Sequence, residues 1–544
     1  MSGWTLLTVL VAGLVALPVL TVLAYVLVPS PEVWGHLLET VLADYVVNTL
    51  GLMIGVGTGT LVIGVGTAWL VVMCSFPGKR IFEWALLLPL AVPTYVIAYA
   101  YTDFLQFTGP VQTLLRELFG WGRDDYFFPD IRSLGGAITL MSLVLYPYVY
   151  LLTRAAFMEQ SVCALEVGRS LGRGPWRLFS GVAVPLARPA IVGGLALALM
   201  ETLNDFGAVQ FFGVDTFTTG IYRTWFGMGE AAAAAQLAAC LLVFVLVLLM
   251  LERSSRRRAR FHHTSTRYRE LPQYRLGSGR ALLAFTACAL PVVVGFMLPA
   301  ALLLEMHLAV GDPLIGSRMT GFAWNSLKLA TTTAVVAVGL AVIIGYGVRM
   351  NPGGVSRTAA RIASVGYAIP GSVIAVGILI PLGWADQRIN LFAREHFGVL
   401  PGLLLTGTMV ALVYAYVVRF LAVSFNSVEA SLTRITPNMD AASRTLGKTA
   451  ARTLALVHLP VMRSSLLAAG ILVFVDVMKE LPATIILRPF DFDTLAVRAF
   501  ELASDERLAQ ASTSALAIVA VGIIPVILLS IAMRKSRPGS SASG

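Results

Sequence analysis

The sequence predicts an all-α polytopic membrane protein of about twelve transmembrane helices, laid out as two tandem six-helix repeats. Three observations predict it. The 544 residues are 57% hydrophobic and only 13% charged, whereas a soluble domain carries nearer a quarter. Apolar runs long enough to cross a bilayer recur along the whole chain. The second half repeats landmarks of the first at a nearly constant offset. Asn48-Thr49-Leu50 returns as Asn325-Ser326-Leu327, and Pro93 with Val96-Ile97-Ala98 returns as Pro370 with Val373-Ile374-Ala375, both at the same offset. Glu201, Asp205 and Arg223 return as Asp476, Glu480 and Arg498, all three at one slightly shorter offset. Six spans separate equivalents, so the two copies run in the same sense. That predicts a parallel duplication about an axis along the membrane normal.

The elements follow in order. Trp4 to Val28 is the first apolar run. It lacks a basic n-region and outruns a signal peptide, so it reads as a retained span. Ser30 to Tyr45 holds Glu32, Glu39 and Asp44 without Lys or Arg, which suits the outer side. Val46 to Cys74 is the second span, with glycines at 51, 55, 57, 59, 64 and 66. Small residues let membrane helices approach closely. Lys79-Arg80 follows on the inner side. Ile81 to Leu105 is the third span, broken by Pro89 and Pro93. Leu134 to Leu152, Ala190 to Phe212 and Ala231 to Leu251 complete the first six. The second six are Ala281–Glu305, Ser326–Val348, Ile362–Leu382, Leu400–Val423, Ser464–Leu487 and Ala511–Met533.

Charge places the loops. Net charge is +10, and Glu252 to Arg280 alone supplies nine Arg against two Glu. Such a stretch suits a cytoplasmic linker that obeys the positive-inside bias or touches anionic lipid, and it does not require nucleic acid. Counting from an inner N-terminus puts the linker, the basic tail Arg534-Lys535-Ser536-Arg537 and two further charged loops on one side. The second of those loops is the more legible: Asp440 to Pro460 lies between apolar runs yet carries Asp440, Arg444, Lys448 and Arg452. It reads as a short amphipathic helix, a turn near Gly447, and Leu459-Pro460 opening the next span. Its first copy holds Glu166, Gly172 and Val184-Pro185. In both copies an acid comes shortly before the Gly, and the Gly precedes the Pro by the same interval.

Ionisable residues inside spans are rare and are functional candidates. The fifth span and its exit hold Glu201, Asn204 and Asp205, and the eleventh holds Asp476, Lys479 and Glu480. Four-residue spacing puts Glu201 with Asp205, and Asp476 with Glu480, on one helix face each. Two readings stand for them. The carboxylates line a cation pathway, or Lys479 pairs with its neighbours and the rest make interhelical hydrogen bonds.

The loop beginning Asp440-Ala441-Ala442, with Gly447, Val457 and Leu459-Pro460, resembles the cytoplasmic "EAA" loop of binding-protein-dependent ABC importer permeases. The first copy departs from it, with Val167 and Gly168 in place of the two alanines. Glu201-Thr-Leu-Asn-Asp-Phe-Gly207, Phe217 to Trp225, Lys479-Glu-Leu-Pro-Ala-Thr484, Leu487-Arg-Pro-Phe490, Phe492 to Leu495 and Leu502 to Glu506 are similar to runs in ferric-iron permeases of the fused two-half type. Thiamine, phosphonate and some sulfate-type relatives share that subfamily.

The resemblance covers essentially the whole chain. It implies a type I ABC importer permease fold, with 1-43 as the first helix and outer loop, 44-251 as the first type-1 transmembrane domain and 252-280 as linker. Residues 281-320 would be the seventh helix and outer loop, 321-533 the second such domain, and 534-544 the tail. It implies alternating access in a bacterial inner membrane with both termini cytoplasmic, a homodimeric ABC ATPase on the inner face, and a periplasmic or lipid-anchored binding protein on the outer face. The chain needs no cofactor of its own under this reading; ATP and magnesium belong to the ATPase. Membrane lipid is the remaining partner, and nucleic acid is not expected. Coupling falls to Glu166, Gly172, Pro185, Asp440, Ala441, Ala442, Gly447 and Pro460. The rival class is an ion-gradient-driven secondary transporter, which leaves both loops unexplained.

Two absences and two distractors complete the reading. There is no G-x-x-x-x-G-K-[ST] run to cradle phosphate, and no metal-type spacing among six histidines and four cysteines. Tyr95, Tyr99 and Tyr101 suit a hard ferric ion, but an interfacial aromatic belt explains them better. His307 reads as a boundary residue at the end of the seventh span.

Overall fold

A computed structural model of the chain describes residues 3–159, 174–257, 273–313, 318–433 and 435–535. Twelve helical segments carry the fold: α1 (Gly3–Tyr25), α2 (Leu42–Met73), α3 (Thr94–Leu105), α4 (Leu134–Glu159), α5 (Pro175–Asn204), α6 (Ala231–Arg257), α7 (Ser278–Ala309), α8 (Met319–Met350), α9 (Gly371–Phe397), α10 (Met409–Leu432), α11 (Ala450–Met478) and α12 (Leu508–Lys535). Among the described residues, eleven helices are long and apolar enough to cross a membrane. Counted as one span, the bent pair Lys79–Ala91 and Thr94–Phe119, which turns by 90°, is a twelfth. Pro93 removes one backbone donor and clashes with a continuing helix, so the break falls where the sequence puts it.

Several boundaries move from the sequence reading. The fifth and eleventh helices begin at Pro175 and Ala450, well before the apolar runs, and stop at Asn204 and Met478. Pro185 and Pro460 therefore lie inside these helices rather than opening them. Each follows a π-helical turn, Phe179–Ala183 and Leu454–His458. The wider turn accommodates a proline ring that would otherwise press on the carbonyl one turn back. A third π-turn, Val293–Met297, precedes Leu298-Pro299 in α7 in the same way.

The chain forms two compact units that do not follow the repeat boundary. One comprises residues 1–37, 220–242 and 314–498; the other comprises 38–219, 243–313 and 499–544. In the first, α8, α10 and α11 pack together, and α1 lies along α8 and α9. Gly377 makes this possible: a Cβ there would sit 2.3 Å from the Pro18 carbonyl oxygen of α1. The Tyr414 hydroxyl donates to Leu14 O at 2.6 Å, and Trp4 meets Tyr346 edge-on at 4.9 Å. The start of α6 completes this unit through Gln236, whose amide donates to Val28 O at 2.5 Å and accepts from the Ser30 hydroxyl at 2.7 Å.

The second unit repeats the plan with α2, α4 and α5 at its centre. Gly59 and Gly64 let α4 cross closely; a Cβ would meet Ser142 Oγ at 2.3 Å and Val149 Cβ at 2.7 Å. Here α7 takes the place that α1 takes in the other unit. The Tyr101 hydroxyl donates to Val294 O at 2.6 Å. Thr513 of α12 accepts the Asp312 N–H at 2.9 Å and lies 3.0 Å from His307 Nδ1. The first helix of each half thus packs into the body of the other half. Tyr95, Tyr99 and Tyr101 are all buried. They are core residues rather than an aromatic belt, because the bend at Pro93 carries α3 inward against α7. The second unit also holds the one strand pair among the described residues, Cys74–Ser75 beside Tyr274–Arg275 in parallel.

Candidate functional site

The loop after α10 forms the short helix Pro437–Thr445. Its end is a Schellman turn: Gly447 N–H donates to Arg444 O at 3.0 Å and Lys448 N–H to Ser443 O at 3.1 Å. Gly447 sits at φ +72°, a conformation that costs a side chain strain and glycine none. Thr449 then caps α11, its hydroxyl accepting the Arg452 N–H at 3.4 Å. Ala441 and Ala442 are exposed, whereas Asp440 turns inward. Asp440 Oδ2 accepts from Arg349 Nε at 3.0 Å and from its terminal nitrogen at 2.6 Å. Arg349, near the end of α8, also donates to Leu432 O at 2.8 Å and Ile435 O at 3.0 Å. One guanidinium therefore fastens the ends of α8 and α10 to this helix, and its charge suits the C-terminus of α10. His458 Nε2, fully buried, lies 2.8 Å from Asp440 Oδ1, outside hydrogen-bond alignment. Nothing in the sequence joins Arg349 and His458 to Asp440, since the three sit on three different helices. Glu166 and Gly172 lie outside the described residues.

The intramembrane acids occupy two equivalent breaks. Asp205 follows the last residue of α5 with an extended backbone (φ −64°, ψ 133°). Its Oδ1 accepts the N–H groups of Ala208 and Val209 at 3.0 and 3.2 Å, and Oδ2 accepts the Thr94 hydroxyl. It caps the short helix Gly207–Phe211. Glu480, beyond the end of α11, accepts the N–H groups of Ala483 at 2.9 Å and Thr484 at 3.1 Å, capping Pro482–Leu487. Both acids are buried. The second copy adds a charge: Arg419 of α10 reaches Glu480 Oε1 at 3.3 Å. Tyr416 hydrogen-bonds to Thr484, whose hydroxyl lies 2.7 Å from Glu480 Oε2. Gly371 leaves room for this pair, since a Cβ would lie 2.7 Å from Glu480 Oε1.

These positions correct the expectation of shared helix faces. Asp205 and Glu480 have left the helix by the time their side chains point, so four-residue spacing no longer aligns them with Glu201 and Asp476. Glu201 is half-buried and Asn204 is buried at the end of α5. Lys479 Nζ lies 3.1 Å from Asp476 Oδ1. Among the described residues no three His, Cys, Asp or Glu side chains gather as a metal site.

Residues 60–260 match the family of binding-protein-dependent transport system inner membrane components. Over 537 residues the chain is 26% identical to the Fe(3+)-transport system permease protein FbpB 2 of Haemophilus influenzae, covering 97% of each. Residues 60–260 are a binding-protein-dependent permease domain. The chain's two-half, all-helical architecture is the type I ABC importer permease fold. Shorter relatives align with part of the chain. The molybdenum transport system permease protein ModB of Escherichia coli K12 is 31% identical over 142 residues, 26% of this chain and 59% of that protein. A putative 2-aminoethylphosphonate transport system permease protein, PhnU of Salmonella choleraesuis, is 27% identical over 183 residues, 34% of this chain and 63% of that one. Permeases of this family are transport subunits of the inner membrane, not enzymes.

Proposed function

We propose that this permease carries ferric iron across the bacterial inner membrane by alternating access, driven by a homodimeric ABC ATPase and supplied by a periplasmic or lipid-anchored binding protein. The full-length likeness to an Fe(3+) permease carries the substrate reading, because it spans both halves. ATP and magnesium are taken up by the ATPase. Both termini face the cytoplasm, as the basic linker and tail favour. The two charged loops dock on the ATPase, and the fixed attachment of Pro437–Thr445 to α8 and α10 supports that role.

For the pathway, Glu201 and Asp476 are the half-buried members of the acidic set, and hard carboxylate oxygens suit a hard cation. Asn204, Asp205, Lys479 and Glu480 complete the candidate set. The test is accumulation of labelled ferric iron in vesicles holding the assembled complex, with Glu201→Gln and Asp476→Asn slowing uptake while ATPase association holds. Uptake of labelled 2-aminoethylphosphonate with none of iron establishes the second reading, which the PhnU likeness favours.

A further inference from the structure

We infer that the helix Pro437–Thr445 meets its partner through an apolar, cationic face, and that its acid stays out of that contact and instead holds the face in position; this rests on the coupling reading above. Asp440 points inward onto Arg349 and His458, and Ser443 hydrogen-bonds Thr453 beneath the helix at 2.7 Å. Outward stand Met439, 44% exposed, the small Ala442, and Leu446, 77% exposed. Their three- and four-residue steps form one stripe. Arg444, Lys448 and Arg452 are exposed around it. Asp440, already paired, is the only acid in residues 437–463. The complementary partner surface is a groove with an apolar floor and an acidic rim.

An anionic lipid surface offers the same chemistry, but the mooring argues for a protein. Arg349 makes four hydrogen bonds that fasten this helix to α8, to the end of α10 and to the turn between them. A helix that floats on lipid needs no such attachment, whereas one that transmits a displacement does. Arg349, Asp440 and His458 are positioning residues on this reading.

The experiment uses the whole chain co-purified with its ATPase subunit. Leu446→Glu, and Arg444, Lys448 and Arg452 changed together to Glu, each lower the retained ATPase about tenfold or more. Raised salt weakens the wild-type association. Arg349→Asp and Asp440→Arg each impair association, and the two together restore it, which a direct contact by Asp440 does not allow. Should the exchanged pair not fold, Arg349→Lys decides, because an ammonium keeps the charge and loses the four-bond attachment. Association must then fall; unchanged association overturns the positioning role. If the wild type retains no ATPase, the coupling reading itself fails. If it retains ATPase and both face variants retain as much, the face is wrongly assigned. Face variants that keep the ATPase but lose binding to phosphatidylglycerol vesicles make the surface a lipid contact and overturn the proposal.

Discussion

Asp205 and Glu480, one in each half of the chain, make the same pair of backbone contacts: each accepts the N–H groups three and four residues ahead of it. The duplication has kept a helix cap in both halves, and among the described residues only the second cap has a buried countercharge, Arg419.

That asymmetry sets the first prediction. Asp205→Asn keeps an oxygen that can cap, and should cost less than about 1 kcal/mol. Glu480→Gln removes the carboxylate that faces the buried Arg419 charge and should cost about 3–5 kcal/mol. Chemical denaturation of the detergent-solubilised protein, followed by tryptophan fluorescence, measures both. Equal losses would mean that Arg419 draws nothing from Glu480.

Close helix crossings give a second. On α8, a Cβ at Gly347 would lie 2.2 Å from Thr8 Oγ1, whereas nothing lies within 4 Å of one at Gly339. Gly347→Ala should cost about 1–3 kcal/mol by overpacking α1. Gly339→Ala should be neutral or stabilising by up to about 1 kcal/mol, because alanine is the better helix former. A thermal melt of the two variants reverses this order if α1 packs elsewhere.

Two left-handed positions supply a third. Gly447 and Glu506 sit at φ +72° and +57°, each ending a helix. Gly447→Ala should cost about 1–2 kcal/mol. Glu506 bears the same strain but makes a two-pronged ion pair with Arg132 at 2.8 and 2.9 Å. At 59% side-chain exposure that pair contributes at most about 1 kcal/mol. Glu506→Gly therefore exchanges one effect for the other and should be nearly neutral, while Glu506→Gln loses the pair and keeps the strain. Stability of the Gly variant below that of the Gln variant would contradict this account.

Thiol chemistry offers a fourth. Burial pushes the Cys74 thiol up from its ordinary range, only partly opposed by the Lys79 charge. A raised value means less thiolate at every pH below it, and the thiolate is the nucleophile. With Cys163, Cys240 and Cys288 replaced by Ser, maleimide should label the folded protein slowly at neutral pH, faster as pH rises, and fastest after denaturation. Rapid labelling of the native protein at neutral pH would place Cys74 at the surface.

The legible part of the fold was what repeats in the chain. Matching Asn, Pro and acidic residues revealed two halves, and apolar runs revealed their spans, because burial in lipid is written in composition. The break at Pro93 and the turn at Gly447 were legible for the same reason: few residues suit those backbones. The extensions to Pro175 and Ala450 were not, since a helix that leaves the bilayer loses its apolar signature, and a π-turn that absorbs a proline has none. Nor were the partners of Asp440 and Glu480. Arg349 looks like an ordinary cation near a helix end, Arg419 lies in the middle of α10, and only tertiary packing brings them to those acids. The tyrosines of α3 misled for a related reason, because an amphipathic ring suits an interface and a core alike.

The reciprocal placement of α1 and α7 has a consequence for biogenesis. A ribosome releases α1 long before residues 314–498 exist, so the first transmembrane segment must wait in the bilayer until most of the polypeptide has been synthesised. Neither half, translated alone, can complete a body, and severing the linker would leave two fragments that mature only together.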